Sequence, residues 1–422
     1  MSKQNTLIQY TNEASKDLRF YYGYAYPIKK SEELLNEKYG SGFSLYNMDV
    51  DRFSDCQEVI EDILTHYPNE IEPVHRVFDT IGPSKIVDSE ESKYSIRPST
   101  INTLFYFHNY EVALVSLPIY SYGHPHQEAF LFGKTDELVT KFLQFYDEME
   151  HKFMLQGITI FTDTDEGLKR SKEKITMQIN REDVLLENQL KTEIYRSIDE
   201  FFLHSGNFFK KYNIPYKRGI LLYGSPGNGK TTLVKSIAGS VNAPIVYWQI
   251  TEYTHSYSIQ EIFSKVVKLS PMVLVIEDID SMPEESRSVF LNTLDGATTK
   301  EGIFLIGTTN YPEKIDPALI NRAGRFDRAY EIRQPNEDLR KSYLIKKGIL
   351  QLLEDDLLDE VVRKTNGLSI AQLNEVYMSV ALEWHYEQRV DIIKLIHDLQ
   401  ENQKKVYKQD WINNSEGAKL GF

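Results

Sequence analysis

The chain has 422 residues and a formal net charge of −14, long enough for two or three domains with cores of their own. Its mix of apolar and charged residues is that of globular protein, which excludes a disordered chain, and no run approaches the roughly 18 consecutive apolar residues of a membrane-spanning helix. The acidic balance argues against broad, sequence-independent nucleic-acid binding, which needs a positive field, and a lone cysteine, Cys56, predicts no disulfide framework. The N-terminal stretch has no basic segment followed by an apolar core, so a cytoplasmic setting is expected.

In chain order, residues 31–40 have helical character. Residues 101–107 and 110–120 read as a hairpin, and 128–133 as a further strand. Residues 136–153 place Leu138, Phe142, Phe145, Met149 and Phe153 near helical spacing, and 158–163 read as a strand. The polar run 162–175 reads as a linker. His124, His126 and Glu128 have metal-ligand chemistry but no supporting His or Cys pairing, so a polar loop is the simpler reading.

After residue 182 the pattern changes. A helical segment, 187–204, leads to the short apolar runs 219–224, 244–250, 271–278 and 303–310, separated by helix-like segments. Buried strands alternating with helices predict an α/β fold with a parallel sheet covered on both faces. From about residue 335 the strands stop and helices follow. The expected division is a mixed α/β domain over 1–180, the sheet domain over 181–334, and a helical subdomain with a tail over 335–422.

Gly224-Ser225-Pro226-Gly227-Asn228-Gly229-Lys230-Thr231 fits G-x-x-x-x-G-K-[ST], with a strand before it and a helix after it. Glycines let backbone N–H groups converge on phosphate oxygens, the lysine reaches the β and γ phosphates, and the threonine hydroxyl holds Mg²⁺. The pattern therefore predicts an ATP and Mg²⁺ site. Downstream, an apolar strand runs into Glu277-Asp278-Ile279-Asp280. Two adjacent carboxylates at a strand end can divide metal holding from water activation. Asn310 closes the next strand, where its amide could orient water. Arg322, Arg325 and Arg328 then fall within seven residues. They suit either a solvated basic face or arginine fingers offered to a neighbouring subunit.

Together these four motifs resemble the AAA family of ATPases over residues 183–385. GSPGNGKTT resembles Walker A, VLVIEDID Walker B, GTTN sensor 1, and NRAGRFDR the arginine-finger segment. The resemblance implies a P-loop AAA module with a C-terminal helical lid. It further implies nucleotide contacts from Gly224 through Thr232, Mg²⁺ on Thr231 and Glu277, Asp278 as base, Asn310 as sensor, and Arg322 and Arg325 as fingers in trans.

The Glu-Asp order at 277–278, where most of the family has Asp-Glu, resembles the Bcs1-like branch. That branch's membrane helix has no counterpart here. The stretch 250–263 offers Tyr253, His255 and Tyr257 but no pore-loop glycine, which argues against processive threading. The implied function is chaperone-like remodelling of protein clients by a homohexamer, with a heptamer as the alternative. A nucleic-acid motor or loader, and a scaffold using ATP as a structural ligand, are the rival readings.

Overall fold

The computed structural model describes residues 6–8, 22–46, 56–89, 93–121, 123–155, 157–165, 167–173, 179–296, 301–320, 325–352 and 357–407. The chain divides into two compact units, Met1–Phe153 and Met154–Phe422.

The first unit runs β1 (Thr6–Ile8), α1 (Ala25–Tyr39), β2 (Ser44–Tyr46), α2 (Cys56–His66), β3 (Glu72–Phe78), β4 (Ser84–Ser89), β5 (Lys93–Pro98), β6 (Thr103–Phe107), β7 (Val112–Ser121), β8 (His124–Gly133) and α3 (Asp136–Met154). Six strands form one sheet in the order β1-β3-β6-β7-β8-β2. Period-two alternation explains why it is covered on both faces. Leu104 and Tyr106 of β6 pack with Ile28 and Leu35 of α1. Phe105 and Phe107 pack with Ile60 of α2 and Phe142 of α3. Strands β4 and β5 form a separate ribbon in which Ile86 stands opposite Ile96. Its apolar residues Ile86, Tyr94 and Ile96 are 70%, 75% and 75% exposed.

The second unit holds seven strands in the order β10-β9-β12-β13-β14-β11-β15. They are β9 (Ile158–Thr164), β10 (Gly167–Glu173), β11 (Lys217–Tyr223), β12 (Ile245–Gln249), β13 (Met272–Glu277), β14 (Ile303–Thr309) and β15 (Arg328–Glu331). All neighbours are parallel except the β9–β10 hairpin. Helices α4 (Asn188–Phe202) and α6 (Lys230–Ala238) cover one face; between them lies the short α5 (Asn207–Lys211). Helices α7 (Ser256–Lys268) and α8 (Glu284–Gly296) cover the other. Two covered faces explain why β13 and β14 are almost continuously apolar. Helices α9 (Glu337–Lys347), α10 (Leu358–Lys364), α11 (Ile370–Glu387) and α12 (Ile392–Tyr407) form a helical subdomain around Leu344, Val361, Leu373 and Val380.

The α/β reading and the helical C-terminal part stand. The stretch 162–175, read as a linker, is different: Gly167–Glu173 is an edge strand antiparallel to β9. Lys169, Arg170 and Lys172 give it the composition of a linker, and charged side chains are how exposed sheet edges avoid further pairing. Strand β9 pairs in parallel with β12, so it belongs to the sheet of the second unit and not to a domain spanning the first 180 residues. The expected C-terminal tail lies outside the described residues.

Candidate functional site

Strands β13, β14 and β11 are consecutive neighbours, and their C-terminal ends lie side by side. In open parallel sheets this is the edge where ligands bind. The segment 224–229 leaves β11 there and enters α6 at Lys230. Gly224 has φ +139°, and a Cβ on it would lie 2.4 Å from the Ile332 carbonyl oxygen, so no other residue fits this turn. The first turn of α6 adds unpaired N–H groups and a favourable dipole for an anion. Lys230 is buried across this loop, its ammonium donating to the Gly224 carbonyl at 2.6 Å and the Ser225 carbonyl at 3.1 Å. Burial lowers its pKa, while Asp278 and Asp280 pull in the opposite direction.

Glu277 is the last residue of β13, and Asp278 follows with φ +54°, a left-handed conformation unusual for a residue with a side chain. Burial raises the pKa of both carboxyls. Asp278 adds to the rise at Glu277, which Lys235 opposes; Asp280 adds to the rise at Asp278, which Lys230 opposes. The two aspartates beyond the end of β13, Asp278 and Asp280, are thus close enough for their charges to act on Lys230. Asn310 follows β14 directly and is half-buried. Thr231 is exposed on the first turn of α6, and Thr232 is half-buried beside it.

The arginine segment divides. Arg322 lies outside the described residues. Arg325 is 3% exposed, and its guanidinium is engaged internally: Nε donates to Asp295 Oδ1 at 2.9 Å and Nη2 to Asp295 Oδ2 at 2.8 Å, while Nη1 donates to the Ala318 carbonyl. Arg328 is exposed and paired with Glu193. The histidine pattern at 124–128 reduces to a surface contact, His126 Nε2 to Glu128 at 3.2 Å.

A cavity of about 440 Å³ adjoins the phosphate loop. Asp183, Val184 and Leu185 line it from the segment before α4, Asn228, Gly229 and Thr232 from the loop and α6, and Tyr343, Lys346 and Ile370 from the helical subdomain. Two contacts bring these pieces together. Ala371 N–H at the start of α11 donates to the Gly227 carbonyl at 2.9 Å, and Lys346 of α9 pairs with Asp183 at 2.6 Å. Asn228 is 2% exposed, and its buried Oδ1 has no hydrogen-bond partner among the described residues. An orphaned acceptor beside a cavity next to a phosphate cradle fits a nucleotide whose base carries a donor. The all-oxygen pair of Thr231 hydroxyl and Glu277 carboxylate suits Mg²⁺. Except for Asn228, Gly229 and Thr232, none of these cavity residues belonged to a sequence motif.

Residues 220–334 match the family described as "ATPase family associated with various cellular activities (AAA)". The chain is 32% identical over 235 residues to a "Cell division cycle protein 48 homolog" of Archaeoglobus fulgidus, covering 50% of this chain and 32% of the relative. It is 32% identical over 212 residues to a "Proteasome-activating nucleotidase" of Methanothermobacter thermautotrophicus, covering 45% and 51%. It is 29% identical over 255 residues to an "ATP-dependent zinc metalloprotease FtsH" of Endomicrobium trichonymphae, covering 54% and 40%. The chain thus spans about a third to a half of the length of these relatives, and the part they share with it carries an AAA ATPase domain. Among the described residues no helix is long and apolar enough to cross a membrane.

Proposed function

We propose that the chain hydrolyses ATP in a homo-oligomeric ring of the Bcs1-like kind, six subunits being the first expectation and seven the alternative, and uses the energy to remodel protein clients. The observation that carries the reading is the shared sheet edge, where Lys230 of the phosphate loop sits within electrostatic reach of Asp278 and Asp280. The loop 224–231 binds the phosphates, and the cavity beside Asn228 and Ile370 takes the base. Thr231 and Glu277 hold Mg²⁺, which when bound neutralises phosphate charge. Asp278 accepts the proton of the attacking water, Lys230 offsets charge on the β and γ phosphates, and Asn310 orients the reacting groups. Arg322 reaches the phosphates of the neighbouring subunit; Arg325 does so only when its pair with Asp295 opens.

Client contact falls to the first unit, whose ribbon exposes Ile86, Tyr94 and Ile96. The test is ATP turnover by the purified chain. Asp278→Asn should retain nucleotide and lose about 100-fold or more in turnover, the scale of a lost general base. Lys230→Ala should lose nucleotide binding. Wild-type turnover in Asp278→Asn would end the assignment of the base.

A further inference from the structure

The ladder between β13 and β14 ends at the pair Ile276–Gly307. Beyond it the two strand ends stay joined, by side chains. Asp278 N–H donates to Thr308 Oγ1 at 3.3 Å, and Thr309 Oγ1 donates to Asp280 Oδ1 at 2.6 Å. The Thr309 hydroxyl also accepts from the Tyr311 N–H at 2.9 Å. Its proton and one of its acceptor sites are therefore used, and Asn310 lies in sequence between Thr309 and Tyr311, which the second bond joins. Thr309 is wholly buried.

The turn at 278–280 is also seated from below. A Cβ on Gly307 would lie 2.6 Å from Ile279 Cδ1, so the turn rests directly on the β14 backbone. Asp278 and Asn310 thus follow separate strands, and apart from the Asp278 N–H bond to Thr308 their relative position depends on the Asp280–Thr309 bridge, which neither of them makes. A carboxylate accepting from a buried hydroxyl at this distance is a strong hydrogen bond with defined direction.

We propose that Asp280 and Thr309 are positioning residues for ATP hydrolysis: their hydrogen bond sets Asn310 against the strand end that carries Asp278. The inference rests on the hydrolytic reading given above. It assigns to the second aspartate of Glu-Asp-Ile-Asp a task distinct from metal holding or water activation. Geometry at the reacting atoms is sensitive to small displacements, so the loss falls on turnover and not on nucleotide affinity.

The experiment uses the full chain and measures steady-state ATP hydrolysis together with binding of a fluorescent ATP analogue. Thr309→Val keeps the shape and removes the hydroxyl. It should lower kcat about tenfold, the order of one charge-assisted hydrogen bond, with KM and analogue affinity within about twofold of the parent. Thr309→Ser, which restores the hydroxyl, should recover most of kcat. Asp280→Asn keeps an acceptor oxygen and should fall between the parent and Asp280→Ala. The double variant Asp280→Ala/Thr309→Val should be no slower than the worse single variant, because both break one bond. Unchanged kcat in Thr309→Val, no rescue by serine, additive losses in the double variant, or a loss appearing in affinity alone would each overturn the proposal. If Thr309→Val does not fold, the Asp280→Asn and Asp280→Ala pair decides: equal kcat in both overturns it. Asp278→Asn run in parallel separates this inference from the reading beneath it. An inactive Asp278→Asn with a fully active Thr309→Val defeats only the positioning role, whereas a fully active Asp278→Asn defeats the base assignment.

Discussion

The guanidinium of Arg325 meets the carboxylate of Asp295 through two parallel hydrogen bonds, Nε to Oδ1 at 2.9 Å and Nη2 to Oδ2 at 2.8 Å. Asp295 sits in the last turn of α8, the helix that follows the acidic strand end, while Arg325 stands just beyond Arg322 in sequence. The pair ties Arg325 to a helix of the same chain. Asp295→Ala would leave a 3%-exposed guanidinium without its counter-charge. Because Asp295 is 35% exposed, the loss is smaller than for a fully buried pair, on the order of 1–2 kcal/mol, and the urea midpoint should fall below that of the parent. An unchanged midpoint would mean that the pair does not hold Arg325. Asp295→Asn keeps an acceptor and should lose less.

The same region carries a pH dependence. Lys217 opens β11, and burial lowers its pKa to about 8, with Asp295 and Glu301 opposing the fall. An unfolded lysine titrates near 10.4. Between these values the unfolded chain binds more protons than the folded one, so this group adds stability as pH rises through the folded pKa. Comparison of the parent with Lys217→Met in urea isolates the effect. Between pH 8 and pH 9 the parent should gain about 0.5 kcal/mol relative to the variant, a figure discounted for solvent screening at a half-exposed site. A parallel pH trend in the two proteins would refute the shift.

The sequence speaks plainly wherever chemistry is local. Residues 224–231 announce a phosphate loop because six neighbouring backbone positions must share one unusual shape, and the apolar runs at 271–278 and 303–310 announce buried strands because both faces of the sheet are covered. Relationships across the chain are silent. Asp295 and Arg325 lie 30 residues apart with no spacing rule to link them. The cavity draws Asp183, Asn228, Tyr343 and Ile370 from distant segments, each ordinary in its own context. Strand β10 escapes notice for a physical reason: an edge strand that resists further pairing carries the same charges as a linker. The Asp280–Thr309 bond was hidden differently. Asp280 lies in the acidic strand end and Thr309 beside Asn310, but strand adjacency alone reveals that they meet.

Asn228 supplies the most direct check on where the nucleotide base lies. Its Nδ2 donates to the Ser225 carbonyl at 3.3 Å, a long bond, whereas its buried Oδ1 has no partner among the described residues. A buried acceptor left unpaired is costly, and a ligand donor that satisfies it recovers that cost only on binding. Asn228→Ala should therefore leave thermal stability within about 1 kcal/mol of the parent, since one weak bond is lost and one unsatisfied oxygen removed. Affinity for a fluorescent ATP analogue should fall about tenfold, the size of one such bond. Turnover at saturating ATP should stay close to the parent value, because the base takes no part in the phosphate chemistry. Ile370→Asp, which places a carboxylate on the opposite wall of the cavity, should weaken the same affinity. If both variants bind the analogue as the parent does, the base does not occupy this cavity. If Asn228→Ala instead loses turnover at unchanged affinity, the residue serves the phosphate loop and not the base.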